Sequence, residues 1–182
     1  MDTLVLNKDG SPLSLLPIST VKWQEAIRLL VLEKVIVVKE YDDWVVRSPS
    51  SHMSVPSVVM LKQYHHWNRM VKYNRAHVLL RDQYKCHLCG EKPRLNDLTL
   101  DHVVPRSKGG RTTWENIITS CKRCNLHKGN DESIVPKNLP KRPSYYQLVS
   151  ERQKYTIRIN DPYWQNFLGW PPKLVQITNR RK

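Results

Sequence analysis

The 182-residue chain carries 30 Lys and Arg against 16 Asp and Glu, and a formal charge of +14 calls for a polyanionic partner. That length suffices for one well-buried domain or for two small ones, and we read two. No apolar run approaches the roughly 18 residues of a membrane helix, so no membrane-spanning helix is expected. Lys8 and Asp9 interrupt the N-terminus before a secretory core can form, so the expectation is an unprocessed cytoplasmic protein.

The charge is uneven. Residues 1–100 hold 14 basic and 10 acidic side chains, and residues 101–182 hold 16 and 6. All four cysteines fall in two Cys-x-x-Cys pairs, Cys86/Cys89 and Cys121/Cys124. Two disulfides would satisfy the count, but a reducing compartment argues for metal-bound thiolates.

In chain order, Leu4-Val5-Leu6 reads as a short strand closed by the turn residues Asn7 to Gly10. Ser19 or Thr20 can cap a helix whose apolar positions Val21, Trp23, Ala26, Ile27, Leu29 and Leu30 recur at helical spacing. Val35 to Val38 suggests a buried strand, Tyr41-Asp42-Asp43 a hairpin turn, and Trp44-Val45-Val46 the returning strand. A loop over Ser48–Ser54 and a strand over Val55–Leu61 complete a small αβ unit, residues 1–62, expected to serve as scaffold or docking module.

Residues 63–74 read as a linker, with Trp67 tucked against one unit. Asn74 then caps a short helix over Arg75–Gln83, with Val78, Leu79 and Ala76 facing a core and Arg75, Arg81 and Lys85 toward solvent.

The equal two-residue gap in both cysteine pairs lets a tight turn aim two sulfurs at one tetrahedral ion. Two such pairs make a four-thiolate site with no open position, hence a structural zinc, one per chain. His87, inside the first pair, is expected at the surface or behind the ligands. As a ligand it would leave one thiolate idle.

Leu98–Val104 reads as a strand ended by Pro105, followed by the basic loop Arg106-Ser107-Lys108-Gly109-Gly110-Arg111. Ile117-Ile118-Thr119 is a second extended run, and Cys121–His127 a helix ended at Gly129. In such a hairpin plus helix, Asp101 and Asn125 can converge on one small ion. His102 points to the opposite strand face unless the backbone twists.

The order Asp101-His102, Asn116, then Asn125 within Cys-x-x-Cys-Asn-x-x-Lys-Gly resembles the HNH endonucleases over about residues 75–130. Their zinc-stapled subtype also places one cysteine pair before the motif and one inside it. The resemblance implies an α+β protein: the αβ unit, then a ββα-metal nuclease domain over residues 75–135, then a basic extension over 136–182. It implies His102 as the general base that deprotonates the attacking water. Asp101 and Asn125 would hold Mg²⁺ or Mn²⁺, and Asn116 would brace the loop that orients His102. The motif's last position is often His and here is Asn125, a variant that bears on the choice of metal.

Arg106, Lys108, Arg111, Lys122, Arg123, His127 and Lys128 are the expected phosphate contacts. DNA is the expected substrate and RNA the second class admitted; cutting both strands would require a homodimer or two binding events. The rival is a zinc-stabilised nucleic-acid-binding protein that does not cut. In the tail, Pro136–Pro143 reads as an extended basic connector and Ser144–Tyr155 as helical. A short helix begins at the cap Asp161 and stops at Gly169; it should pack on one of the two units, its Tyr163, Trp164, Phe167 and Trp170 closing a core or stacking on bases.

Overall fold

The computed structural model describes residues 2–49, 52–66 and 69–178, and the chain divides into two units: Met1–Asn68 with Gln153–Lys182, and Arg69–Arg152. The expected position of Trp67 lies outside the described residues. None of the described helices is long and apolar enough to cross a membrane.

The first unit opens with β1 (Asp2–Leu6), β2 (Thr20–Lys22), α1 (Trp23–Val31), β3 (Val35–Arg47) and β4 (His52–Leu61), in a sheet of order β2-β1-β4-β3. β1 is buried on both faces because alternate residues point opposite ways. Val5 joins Val59 and Val35 on the face that Leu29 and Leu30 of α1 cover. Leu4 and Leu6 join Val58 on the other.

Four expectations fail here. Of the expected buried strand Val35–Val38 only Val35 is buried, because β3 lies at the sheet edge. β4 begins at His52, inside the expected Ser48–Ser54 loop, because it pairs with the far end of β3. Thr20 lies in β2, and α1 starts at Trp23 after Lys22 with no side-chain cap, so neither Ser19 nor Thr20 caps it. Pairing of Thr20 with Leu4 in the sheet outcompetes the local cap. Nor is Tyr41–Asp43 a hairpin turn. β3 continues to Arg47, and the jump in register from Glu40↔Pro56 to Val45↔Ser54 takes up the extra residues as a bulge.

The second unit contains α2 (Arg75–Arg81), the antiparallel pair β5 (Leu98–His102) and β6 (Ile117–Cys121), α3 (Lys122–Lys128) and α4 (Tyr145–Arg152), which packs on α2. Asn74 caps α2 as expected, its Oδ1 accepting from His77 N at 2.8 Å, a bond that stabilises by about 1 kcal/mol. Val78, Leu79 and Leu80 are buried, while Ala76 is exposed.

Arg81 departs from its expected solvent position. Its side chain is 10% exposed and donates to Trp114 O and Ile117 O, each at 2.7 Å. The next residue, Asp82, accepts from Thr119 N at 2.8 Å, and His87 N donates to Thr119 O at 2.8 Å. These are the outward-pointing backbone groups of β6, the edge that β5 leaves open. The end of α2 and the first cysteine turn thus seal an edge that would otherwise be unpaired.

The chain then returns to the first unit through β7 (Ile157–Ile159), α5 (Gln165–Leu168) and β8 (Val175–Ile177), with β7 and β8 parallel. Asp161 caps the turn before α5, accepting from Tyr163 N at 2.8 Å, and Gly169 ends it at φ +62. Ile157, Ile159, Trp164, Leu168 and Trp170 cover the Leu4, Leu6 and Val58 face of the sheet. The tail's tryptophans therefore close a core, and Trp164 Nε1 donates to Ser57 O at 3.1 Å inside it.

Candidate active site

β5 and β6 pair from Leu98↔Cys121 to His102↔Ile117, and α3 follows β6 directly, so the hairpin and helix bring the C-terminal end of β5 beside α3. Thr99 and Asp101, two apart on β5, share the face that meets α3. The Thr99 hydroxyl donates to Ser120 O at 3.1 Å and accepts from Asn125 Nδ2 at 3.0 Å. That fixes the amide of Asn125 with Oδ1 turned away from Thr99, and no hydrogen bond to Oδ1 occurs among the described residues.

Asp101 is 8% exposed, and its Oδ2 is buried without a hydrogen bond; the nearest cation, Lys128 Nζ, stands 3.4 Å away. Lys128 is itself 2% exposed and donates to His102 O at 2.7 Å. It is therefore not the exposed phosphate contact expected. The strand face that carries Asp101 buries it, and it ties the end of α3 to the end of β5.

His102 occupies the opposite strand face. Its Nε2 shares a hydrogen bond with Thr112 Oγ1 at 3.0 Å, leaving Nδ1 without a partner among the described residues. Burial lowers the pKa of the imidazole, and Arg106 and Lys128 push the same way against the opposing pull of Asp101, which favours the neutral ring. Asn116 spans the loop between the strands: its Oδ1 accepts from Val104 N at 2.8 Å, and its Nδ2 donates to Val104 O at 3.1 Å and Arg111 O at 2.9 Å. These bonds tie Val104 and Arg111, at the two sides of that loop, to one side chain.

At the other end of the hairpin, the Sγ atoms of Cys86, Cys89, Cys121 and Cys124 all lie within 4.8 Å of one another. Tetrahedral Zn–S bonds of about 2.3 Å set sulfurs about 3.8 Å apart, inside that limit. Cys121 Sγ also accepts from Cys124 N at 3.4 Å, the first turn of α3 presenting its amide to the sulfur. Burial would raise the Cys86 thiol, but amides of Cys89, Cys121 and Leu88 outweigh it and hold it at about 7. Cys124 is pushed up to about 12, by burial first and then by the neighbouring sulfurs. Four thiolates so close need a shared cation, and the four sulfurs are placed to hold a metal dication.

The sequence comparisons agree with this geometry. Residues 86–131 match the family described as HNH endonuclease, and residues 3–69 match the HNH endonuclease-associated, N-terminal domain. The chain carries an HNH endonuclease domain. A stretch of 51 residues, 28% of the chain, is 41% identical to the CRISPR-associated endonuclease Cas9 of Corynebacterium diphtheriae, and it spans 5% of that relative's length.

Around the HNH domain's hairpin, three expected phosphate contacts sit in exposed ion pairs. These are Lys108–Glu132 and Lys122–Asp97 at 3.2 Å, and Arg123–Glu91 at 3.5 Å. Pairs of this kind contribute about 0–1 kcal/mol and exchange readily for phosphate. Arg106, Arg111 and His127 are exposed, and neither arginine has an ion pair among the described residues. His87 is half-buried, its Nε2 3.0 Å from Asp82 Oδ1.

Sequence reasoning missed Thr112 and Thr99, single hydroxyls in unremarkable surroundings. It also missed Asp82, whose only signal was its place between a helix end and the first cysteine pair. Gly110 passes so close to Val104 that an added Cβ would stand 1.8 Å from Val104 O and 2.9 Å from Asn116 Nδ2. Gly110→Ala is therefore expected to displace the loop and cost about 1–3 kcal/mol in denaturant unfolding of this unit. An unchanged midpoint would show that the loop moves freely.

Proposed function

We propose that the protein is a divalent-metal-dependent endonuclease that hydrolyses phosphodiester bonds of DNA. The observation that carries this reading is the buried, unbonded Oδ2 of Asp101, facing the helix whose Asn125 amide is fixed with Oδ1 free. Asp101 and Asn125 offer one charged and one neutral oxygen, which suits a hard ion that keeps most of its waters. Mg²⁺ or Mn²⁺ held there would supply Lewis acidity at the scissile phosphate and its leaving oxygen.

The remaining chemistry falls to the chain's own side chains. Thr112 holds Nε2 of His102, so Nδ1 is the nitrogen left to take the proton from the attacking water. Asn116 fixes the loop that carries Thr112, and so orients the imidazole through it. Arg106 and Arg111 bind and position the strand. The four thiolates, with one zinc per chain, hold the hairpin and α3 together away from the reacting atoms.

One observation favours a second reading, a zinc-stabilised nucleic-acid-binding protein that does not cut. Lys128 already places a positive charge 3.4 Å from Asp101. The two readings separate on supercoiled plasmid incubated with Mg²⁺, Mn²⁺ or chelator. The nuclease reading expects metal-dependent nicking that falls at least about a hundredfold in His102→Ala, with DNA binding retained. Nicking alone is the expected result for a single site, and linear product would call for a homodimer. Zinc-loaded protein that cuts neither DNA nor RNA in either metal would establish the binding-only reading.

A further inference from the structure

We propose that a second nucleic-acid site lies in the groove between the Pro136–Pro143 connector and the α2 end of the same unit. The groove has a volume of about 960 Å³ and is open to solvent. Its lining includes Lys137, Lys141 and Arg142 on one side and Arg81 and His87 on the other.

The two sides differ in what their charges are already doing. Arg81 and His87 are committed to the carboxylate of Asp82. Lys137, Lys141 and Arg142 are exposed and have no ion pair among the described residues. Of the groove's acids, Asp82 is 5% exposed beneath its partners, while Glu151, which accepts from Gln83 Nε2 at 3.4 Å, keeps its negative charge in the lining. A polyanion entering the groove therefore meets three unspent cations against one carboxylate.

The connector is also built to hold those cations still. Pro136, Pro140 and Pro143 are buried, while Lys137, Lys141 and Arg142 between them face solvent. Prolines fix φ and lose little entropy on burial, so the charges are offered on a backbone already ordered. A bare charge run on a mobile linker would have to be ordered on binding.

The ligand class is the phosphodiester backbone, a part of the substrate strand away from the bond to be cut. This identification rests on the nuclease reading, since that substrate is the polyanion the unit already has to hold. The groove itself can be tested without cleavage.

The test is full-length protein in which Lys137, Lys141 and Arg142 are all changed to Gln, titrated with labelled duplex and single-stranded DNA without added divalent ion. A control changes Lys72, Lys85 and Arg94 to Gln, exposed cations of the same unit that lie outside the groove. Both variants lose the same charge, and zinc content verifies that both remain folded. The groove variant is expected to bind roughly tenfold or more weakly near 0.15 M salt. Its salt slope should fall by about 2.7 for duplex or about 2.1 for single strands, the three-contact values. The control should change little.

Equal losses in both variants would reduce the effect to overall charge and overturn the proposal, as would no loss in either. A groove variant that keeps DNA but loses binding to polyglutamate would overturn it in favour of an acidic protein partner. Failure of the nuclease reading looks different: binding and its dependence on the groove persist while no metal supports cutting.

Discussion

Replacing Cys121 by serine is expected to release the metal and unfold the Arg69–Arg152 unit while the four-stranded sheet of the other unit stays folded. Cys121 ends β6, begins α3 and places its sulfur among the other three, so the substitution removes a ligand while the serine hydroxyl can still cap α3. Structural zinc contributes about 10–16 kcal/mol of apparent binding free energy in small folds. A whole domain is stable by only about 5–15 kcal/mol. A unit this small, with a two-stranded sheet, has no comparable reserve in its apolar core. The check is metal analysis alongside amide NMR of both units. Retention of the hairpin's dispersed resonances after metal loss would show that packing, and not the ion, holds it.

The second large effect is expected at Asp82. Changing it to alanine should cost about 3–5 kcal/mol, because Arg81, His87 and the Thr119 amide all lose their buried partner at once. Burial would raise this carboxyl, but the hydrogen bonds from His87 and Arg81 prevail and hold it at about 2. A depressed carboxylate contributes stability that is fully present above its unfolded pKa, near 4, and is lost as pH falls through the folded value. The ionised form accounts for roughly 2 kcal/mol of the total. The gap between the native sequence and Asp82→Ala, read from denaturant unfolding, should thus be constant from pH 7 to about 4.5 and narrow below pH 4. A gap that narrowed above pH 5 would assign the dependence to another group.

What could be read from the sequence divides by the range of the interaction that fixes each feature. Asn74, Asp161 and Gly169 bond or turn within a few residues, and local chemistry placed all three. The cysteine pairs were legible because ligand spacing is itself a local geometry, even though the pairs meet across the unit. The Tyr41–Asp43 bulge was not, since polar residues that favour turns sit there and only the length of the partner strand β4 decides otherwise. Arg81 and Lys128 failed for a related reason. A cation beside a helix end reads as solvated unless the groups it will meet are known, and here those are carbonyls of β6 and β5 and a carboxylate on β5. At the candidate site, the residue types were evident. The free oxygen of Asn125 depends on the hydroxyl of Thr99, and nothing in the spacing announces it.

The first sheet owes one covered face to side chains that arrive late. Trp164 follows Ser57, its hydrogen-bond partner, by 107 residues, and Leu168 and Trp170 come later still. Leu4, Leu6 and Val58 therefore stay uncovered until synthesis, at about 5–20 residues per second, has passed Trp170. A message truncated before that point would yield a product with an exposed apolar sheet, the feature by which chaperones and proteases recognise unfinished chains.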